Sequence, residues 1–229
     1  MSMIGIIGAM DIEVAALRAR MENPTVETVS GMDFIRGRLA GREVVLVRSG
    51  VGKVFASICA QTLILKYAVK AIINSGVGGT LTEGLHIGDV AVSSACVQHD
   101  MDTTPVGDPY GLISGINVIE LPADAAMTAA FDRVCTEAGV NHRVGVIATG
   151  DQFVHTQERR DWIRKQFGAV AVEMEAASIA QVCYVNNIPF VSIRVISDEA
   201  SGNVKIDYMS FVQKAAATSS EITMRWLAA

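Results

Sequence analysis

Two carboxylates stand two residues apart in a stretch of sequence that is otherwise apolar. Glu173 and Glu175 are the only charged residues of AVAVEMEAASIAQVC, which spans residues 169–183. A buried carboxylate without a partner costs several kcal/mol or gives up its charge. Either the pair is satisfied inside the protein by Arg194 and backbone amides, or one carboxylate turns into a cleft and binds a polar ligand.

Two more acids, Glu13 and Asp198, follow apolar runs in the same way. Glu13 opens a helical pattern after GIIGAMD, where a carboxylate also complements the helix dipole. Asp198 ends VISD, a position that suits a helix cap or a turn. Each acid has a structural explanation when taken alone, but together they form a set of acids that follow strands.

These acids depend on the elements that position them. Apolar runs alternate with helical patterns, which favours a mostly parallel α/β sheet in a single domain over residues 1–229. The predicted strands are Met3–Ile7, Phe34–Leu39, Val44–Arg48, Ala71–Asn74, Asp89–Ser93, Val144–Ala148, Ala169–Val172 and Phe190–Ile196. The predicted helices are Asp11–Met21, Val54–Lys66, Ala123–Ala138, Gln157–Phe167, Ala176–Asn186 and Tyr208–Leu227.

Glycine-rich segments follow five of the predicted strands, and ligands of open α/β sheets bind beyond the carboxyl ends of strands. Neither GIIGAM nor GVGGTL fits the dinucleotide pattern G-x-G-x-x-G, and the sequence has no P-loop pattern. The predicted cleft combines acids with apolar side chains and has Arg194 as its main cation. This combination suits a neutral ligand with hydroxyls and a flat apolar part, such as a nucleoside.

Composition argues against other partners. The formal net charge is −5, no basic run is present, and no apolar run approaches the roughly 20 residues of a membrane span. We therefore expect no nucleic acid and no membrane as partner. The start, MSMIGIIGAMD, lacks the basic segment of a signal peptide, and the cysteines are scattered, which indicates a reducing cytoplasm. Neither cysteines nor histidines have the spacing of metal ligands.

Six segments together resemble one family. In chain order they are GIIGAMDIEV, SGVGKV, NSGVGG, TGDQFV, AVEMEAASIAQVC and IRVISDEAS. They are similar to the nucleoside phosphorylase/hydrolase superfamily, and most of all to its 5′-methylthioadenosine/S-adenosylhomocysteine nucleosidases. The resemblance implies a three-layer α/β/α sandwich with a central twisted mixed sheet, usually in a homodimer. It also implies hydrolysis of the N-glycosidic bond of 5′-thio-substituted adenosines, with no cofactor or metal.

The resemblance also implies roles for single residues. Asp198 would protonate the adenine leaving group, Glu13 would activate water, and Glu175 would hold the ribose hydroxyls. Glycosidic cleavage needs such groups, because its oxocarbenium-like transition state is stabilised by carboxylates and the base leaves poorly unless protonated. The other residues expected along the substrate are Met10, Val51, Val77, Gly79, Phe153, Val154, Glu173, Met174, Arg194, Ser197 and Tyr208.

Some of these positions have more specific expectations. Phe153 would stack on the base, the backbone of Val154 would read the adenine edge, and Met174 would pack under the sugar. Gly79 would lie in a glycine turn that lines the cleft. Ser197 and Arg194 would support Asp198 and the turn formed by VEME, residues 172–175.

The segment 101–115, which reads MDTTPVGDPYGLISG, corresponds to the region that contacts the neighbouring subunit's ligand in well-known members of the family. We expect it to cross a two-fold interface and close the partner's cleft. Its apolar tip residues are Val106, Tyr110, Leu112 and Ile113. Val106 and Asp108 stand where aromatic residues are frequent, and Val77 stands where some members have serine. These departures bear on the preferred 5′-substituent.

Three other functions remain open at this point. A phosphorylase would use phosphate as the acceptor, although the Glu13 carboxylate would repel a phosphate dianion. A nucleosidase could act on another adenine nucleoside, such as aminodeoxyfutalosine. A nucleoside-binding protein without activity would not need both Glu13 and Asp198.

Overall fold

The computed structural model describes residues 3–199 and 204–229, and within them ten strands and six α-helices. The strands are β1 Ile4–Gly8, β2 Glu22–Val29, β3 Met32–Leu39, β4 Arg42–Arg48, β5 Ala71–Thr80, β6 Val90–Gln98, β7 Leu121–Pro122, β8 His142–Thr149, β9 Ala171–Glu173 and β10 Phe190–Asp198. The helices are α1 Asp11–Ala19, α2 Lys53–Tyr67, α3 Ala125–Glu137, α4 Gln157–Phe167, α5 Ala176–Asn186 and α6 Val204–Ala228.

All ten strands form one mixed sheet. Its order is β10-β6-β8-β9-β5-β1-β4-β3-β2, with β7 paired to β6. β5 is parallel to both β1 and β10. Because β10 also stands at one end of the strand order, its pairing with β5 closes the strands from β10 to β5 into a ring. The predicted central mixed sheet is confirmed, and the closure is a feature that local sequence patterns do not specify.

Helices cover the two faces of the sheet. One apolar core joins α1, α3 and α6 to strands that include β1, β5 and β10, while a second core joins α2 and α5 to the opposite face. The strands read as continuous apolar runs because helices bury them from both sides. None of the helices in the described residues is both long and apolar enough to cross a bilayer.

The predicted strands and helices are present, with differences at their ends. Helices α4 and α5 have the predicted bounds, whereas β5 runs six residues and β10 two residues further than predicted. Strand β2 was not predicted, because its sequence ENPTVETV is almost entirely exposed and lacks an apolar pattern. The end of the ISDEASG segment, residues 200–202, lies outside the described residues.

Candidate active site

A cleft opens where β1, β5, β9 and β10 end. It contains about 570 Å³ of space, counting the part open to solvent. All of the predicted site residues except Arg194 line it, while their roles stay predictions. The lining residues are Ala9, Met10, Glu13, Val51, Val77, Gly78, Gly79, Gln152, Phe153, Val154, Val172, Glu173, Met174, Glu175, Ser197, Asp198 and Tyr208.

Glu13 lies in the first turn of α1, directly after β1, and is buried. Its carboxylate accepts hydrogen bonds from the N–H groups of Ala9 at 2.7 Å, Met10 at 2.9 Å and Val77 at 3.0 Å. Burial raises the pKa of Glu13, and the charge of Arg194 and these three hydrogen bonds lower it only in part. The raised pKa makes this carboxylate a better proton acceptor than an ordinary glutamate.

Strand β5 forms the floor of the cleft with glycines that leave no room for a side chain. A Cβ on Gly76 would overlap the Glu13 carboxylate, and a Cβ on Gly79 would lie 2.7 Å from Asp198 Oδ2. The prediction of a glycine turn around Gly79 is wrong, because β5 continues to Thr80 and still pairs with β10 there. These glycines let two carboxylates approach the strand from either side.

Glu173 ends β9, and its carboxylate points into the protein. It accepts hydrogen bonds from the Thr149 hydroxyl, from the N–H groups of Glu175 and Ala176 at 2.9 Å each, and from Arg194. Because free N–H groups at the start of a helix need acceptors, Glu173 satisfies the first turn of α5. Its contacts therefore fix the turn that presents the next carboxylate.

Arg194 lies behind the cleft wall and is only 1% exposed. Its guanidinium donates to the Glu173 carboxylate, to Asn74 Oδ1 and to the carbonyl oxygen of Ile193. The prediction that Arg194 is the main cation of the cleft is wrong. Two buried carboxylates need a cation beside them, and this requirement holds Arg194 inside the protein.

Glu175 precedes the first residue of α5, and its carboxyl group lines the cleft. Oε1 accepts a hydrogen bond from the N–H of Gly52 at 2.8 Å, and Oε2 lies 3.9 Å from Arg194 Nη2. Burial, followed by the nearby charge of Glu173, raises the pKa of Glu175 to about 8. The raised pKa favours the neutral form of this carboxyl, which can donate as well as accept hydrogen bonds.

The turn before α2 is tied to the cleft by a polar network that the sequence did not indicate. Lys53 Nζ donates to Asp100 Oδ1 at 2.7 Å and to Gln98 Oε1 at 3.1 Å. Asp100 Oδ2 accepts from the N–H of Asp151, whose own Oδ1 accepts from the N–H of Lys53. Burial opposes ionisation of Asp100, but these donors lower its pKa. The network fixes Gly52, the residue that donates to Glu175.

Asp198 ends β10 on the far side of β5 from Glu13 and is buried. Ser197 Oγ donates to Asp198 Oδ1 at 2.8 Å, and Arg160 Nη2 donates to Asp198 Oδ2. The sequence analysis missed Arg160. The available signal was its place on α4, where it lies three residues before buried Ile163 and shares its inward face.

Apolar side chains complete the cleft. Phe153, about half exposed, meets Tyr208 edge to face with ring centroids 5.5 Å apart. The Tyr208 hydroxyl donates to Met10 Sδ at 3.2 Å. Burial raises the pKa of Tyr208, and the charges of Glu13, Asp198 and Glu175 add to the effect. A flat ligand could therefore stack on Phe153 and extend toward Met10.

The segment 101–115 packs largely on its own chain. Tyr110 contacts Trp162 and Phe167, with ring centroids 4.8 Å and 6.2 Å away, and Ile113 is buried in the core around α2 and α5. Of the predicted apolar tip residues only Val106 is largely exposed. The prediction of a four-residue apolar tip is wrong, because this chain's own aromatic cluster takes up part of it.

Asp108 belongs to the same segment. It accepts a hydrogen bond from Thr103 Oγ1 at 2.8 Å, and it does not line this chain's cleft. Its contacts thus stabilise the segment. In residues 3–199 and 204–229, no cluster of three or more His, Cys, Asp or Glu side chains could hold a metal ion.

Comparisons with known proteins agree with this geometry. A sequence profile of the phosphorylase superfamily matches residues 3–228. The 5′-methylthioadenosine/S-adenosylhomocysteine nucleosidase of Anoxybacillus flavithermus is 41% identical over 220 residues, which cover 96% of this chain and 95% of that protein.

Solved structures give the same result. The S-adenosylhomocysteine nucleosidase of Streptococcus pyogenes, in complex with 5-methylthiotubericidin, has a TM-score of 0.95 at 35% identity, covering 99% of this chain and 96% of that one. The futalosine hydrolase of Helicobacter pylori has a TM-score of 0.93 at 32% identity, covering 98% and 97%. The chain therefore belongs to the phosphorylase superfamily and, within it, to the family of 5′-methylthioadenosine/S-adenosylhomocysteine nucleosidases.

Proposed function

We propose that this protein hydrolyses the N-glycosidic bond of 5′-methylthioadenosine and S-adenosylhomocysteine, releasing adenine and the 5′-thioribose. The observation that carries the proposal is the placement of Glu13 and Asp198 on opposite flanks of β5. Glu13 accepts a hydrogen bond from the N–H of Val77, while Asp198 lies against Gly79, so the two carboxyl groups approach β5 from either side. An acid on one side of the scissile bond and a base on the other are what this hydrolysis needs.

The chemistry follows from these positions. Asp198 gives a proton to the base, and the bond between the ribose C1′ and the base nitrogen breaks with its electrons going to the base. Water attacks C1′ from the other side and loses a proton to Glu13, whose raised pKa suits it to be the base. Glu175 lines the same cleft and binds the ribose hydroxyls.

The proposal is tested by incubating the protein with methylthioadenosine and following adenine release, with and without phosphate. We expect adenine release that is independent of phosphate and a free thioribose as the second product. Formation of a ribose 1-phosphate would make the protein a phosphorylase instead. Binding of the nucleoside without any release would make it a binding protein.

A second candidate is suggested by the similarity to a futalosine hydrolase. Aminodeoxyfutalosine carries the same adenine and ribose, so the cleft contacts described above apply equally to it. The two candidates differ in the group at the 5′ position. Comparing kcat/KM for methylthioadenosine, adenosylhomocysteine and aminodeoxyfutalosine decides between them, and we expect the two sulfur-containing substrates to be preferred.

We also propose that the protein is a homodimer. Large apolar side chains are exposed side by side on α2 and α5, including Val54 at 69%, Phe55 at 53%, Leu65 at 74% and Val185 at 54%. Helices α2 and α5 pack on each other, so these residues form a joint surface. An apolar surface of this kind on paired helices suits an isologous two-fold interface, which buries it in both copies.

The same surface leads to the cleft. Val51 lines the cleft and is half exposed, and Val54 and Phe55 follow it at the start of α2. A second copy seated on α2 would thus cover the open side of the cleft, where the 5′-substituent lies. Exposed Val106 from segment 101–115 of that copy is our candidate for the covering residue. Sedimentation of the purified protein tests the assembly, and a monomer at micromolar concentration would contradict it.

A cytoplasmic location and a place in methionine salvage are the last parts of the proposal. Cys59, Cys96, Cys135 and Cys183 are free and buried, which suits a reducing compartment. The released thioribose carries the sulfur that such a pathway recovers. Fractionation of cells that produce the tagged protein tests the location, which a periplasmic or membrane fraction would contradict.

A further inference from the structure

Arg160 is a fully buried guanidinium that reaches the edge of the cleft without lining it. It is 2% exposed and donates to three groups from one side chain. Nη2 bonds to Asp198 Oδ2, Nη1 bonds to the carbonyl of Thr80 at 3.0 Å, and Nε and Nη2 lie 3.3 Å and 3.1 Å from the carbonyl of Val154. Arg160 thus joins the proposed general acid to the backbone that is proposed to read the base.

The fold makes space for this contact. Gly79 has no side chain to come between Asp198 and Arg160. A Cβ at this position would lie 2.7 Å from Asp198 Oδ2 and 2.9 Å from Arg160 Nη2. The helix that carries Arg160 is positioned by the Thr156 side chain, which accepts from the N–H of Arg159 and caps the N-terminus of α4. A large cation inside the protein is retained only where a buried anion faces it.

We infer that Arg160 is a positioning residue for general acid catalysis by Asp198. The inference rests on the proposed function. When Asp198 gives its proton to the leaving base, a negative charge develops on a carboxyl group that is 3% exposed. Arg160 lies against that charge before the reaction starts, so it stabilises the transition state of proton transfer without having to move.

Both side chains that contact Asp198 donate to its carboxyl oxygens, Arg160 to Oδ2 and Ser197 to Oδ1. Asp198 bonded to Arg160 and Ser197 has the geometry of the carboxylate that remains after the proton has gone to the base. Before the next turnover the carboxylate takes up a proton from solvent, and the bond to Arg160 weakens. The proton that reaches the base comes from Asp198.

The test separates leaving-group protonation from a merely structural role. Arg160→Met is compared with wild type on methylthioadenosine and on 4-nitrophenyl 5-methylthio-β-D-ribofuranoside, whose leaving group is stable as an anion and needs no proton. We expect kcat for methylthioadenosine to fall by roughly 10² with KM little changed, and kcat for the nitrophenyl compound to stay near wild type. Arg160→Lys, which keeps the charge but not the fork of donors, should recover part of the loss.

Arg164→Met is the matched control, because Arg164 lies one turn further along α4, is about half exposed and bonds to Asp161. We expect it to leave both activities unchanged. Equal losses on both substrates in Arg160→Met would overturn the inference, since they would show a general defect of the cleft. A wild-type protein that cleaves neither substrate would instead contradict the proposed function itself.

A second comparison covers the case in which Arg160→Met does not fold because it leaves Asp198 buried and unpaired. Asp198→Asn removes that charge, so the double variant with Arg160→Met contains neither ion of the buried pair. If Arg160 acts through Asp198, the double variant has the same kcat for methylthioadenosine as Asp198→Asn alone. A further loss in the double variant would overturn the inference.

Discussion

Glu13 satisfies two requirements with one carboxylate, since it accepts three backbone N–H groups and faces the cleft. We predict that Glu13→Gln still binds methylthioadenosine but releases adenine roughly 10² to 10⁴ times more slowly, because an amide cannot take a proton from water. Pre-steady-state binding and kcat measure the two effects. Asp11→Asn is the control, since Asp11 lies in the same first turn but is exposed and bonds to Arg48. Near-normal turnover in Glu13→Gln would show that Glu13 does not activate water and only complements the dipole of helix α1.

The pH dependence of wild-type turnover follows from the same residue. Burial raises the pKa of Glu13, and only the deprotonated form accepts the proton of water. We predict that kcat/KM falls as the pH drops through this raised pKa, at a higher pH than an exposed glutamate would give. A profile that stays flat down to the range of ordinary glutamates would contradict the assignment of Glu13 as the base.

Glu175 gives a prediction for stability with a definite sign. Its pKa is 4.5 in the unfolded chain and about 8 in the folded one, because burial and the charge of Glu173 favour the neutral form. Between these values folding takes up a proton, so this residue's contribution to stability is present below pH 4.5 and is lost as the pH rises to about 8. Glu175→Gln has no carboxyl group to titrate here, so we expect it not to lose this stability. The Tm of the variant minus the Tm of wild type should therefore increase between pH 4.5 and about 8. Glu221→Gln is the control, because Arg20 lowers the pKa of the Glu221 carboxyl. Its Tm relative to wild type should not increase over the same pH range.

At the scale of elements, β5 places its glycines where other side chains need the space. We predict that Gly76→Ala loses most of its activity, since the new Cβ would displace the Glu13 carboxylate, whose Cδ would lie 3.0 Å away. Adenine release and Tm measure the change. Gly84→Ala is the control, because its Cβ would meet nothing nearer than Arg143 Nη1 at 3.8 Å. Full activity in Gly76→Ala would show that the position of Glu13 along β5 does not matter.

The elements also show how far sequence patterns reach. Helix α4 has the bounds that were predicted, and in the structure Thr156 caps its start and Gly168 ends it in a left-handed conformation with φ 63°. These are local signals. The end of β5 was predicted as a turn because glycine is usually loop punctuation. Only the tertiary structure shows that Glu13, Asp198 and their neighbours fill the space that side chains would occupy.

The residues of the site were also predictable only in part from the sequence. Glu13, Glu175 and Asp198 were found because acids after apolar runs stand out, and they share one cleft in the structure. Arg160 was not found. Arg194 is not the main cation of the cleft as predicted, but its bond to Glu173 agrees with the expectation that it supports the turn at residues 172–175. Which arginine meets which carboxylate depends on contacts between elements far apart in the chain, and local patterns carry no information about them.

At the scale of the whole molecule, the exposed apolar surface of α2 and α5 predicts an assembly that matters for binding. We expect Phe55→Glu to give a monomer in sedimentation and to raise KM for methylthioadenosine, because the open side of the cleft loses its cover. Val26→Glu is the control, since Val26 is as exposed as Phe55 but lies on edge strand β2. A Phe55→Glu dimer with unchanged KM would exclude α2 as the interface.

The arrangement of neighbouring strands has a consequence for how the protein becomes active. β1, β5 and β10 lie side by side, although β1 is near the start of the chain and β10 is near its end. Glu13 and Asp198 take their places on either side of β5 only after contacts between distant segments of the chain have formed. Such contacts form slowly. A nascent chain that stops before β10 therefore has most of its strands but only one of the two acids that are proposed to catalyse the reaction. During refolding from denaturant, we expect the secondary structure to return first and adenine release to return only with the slowest kinetic phase.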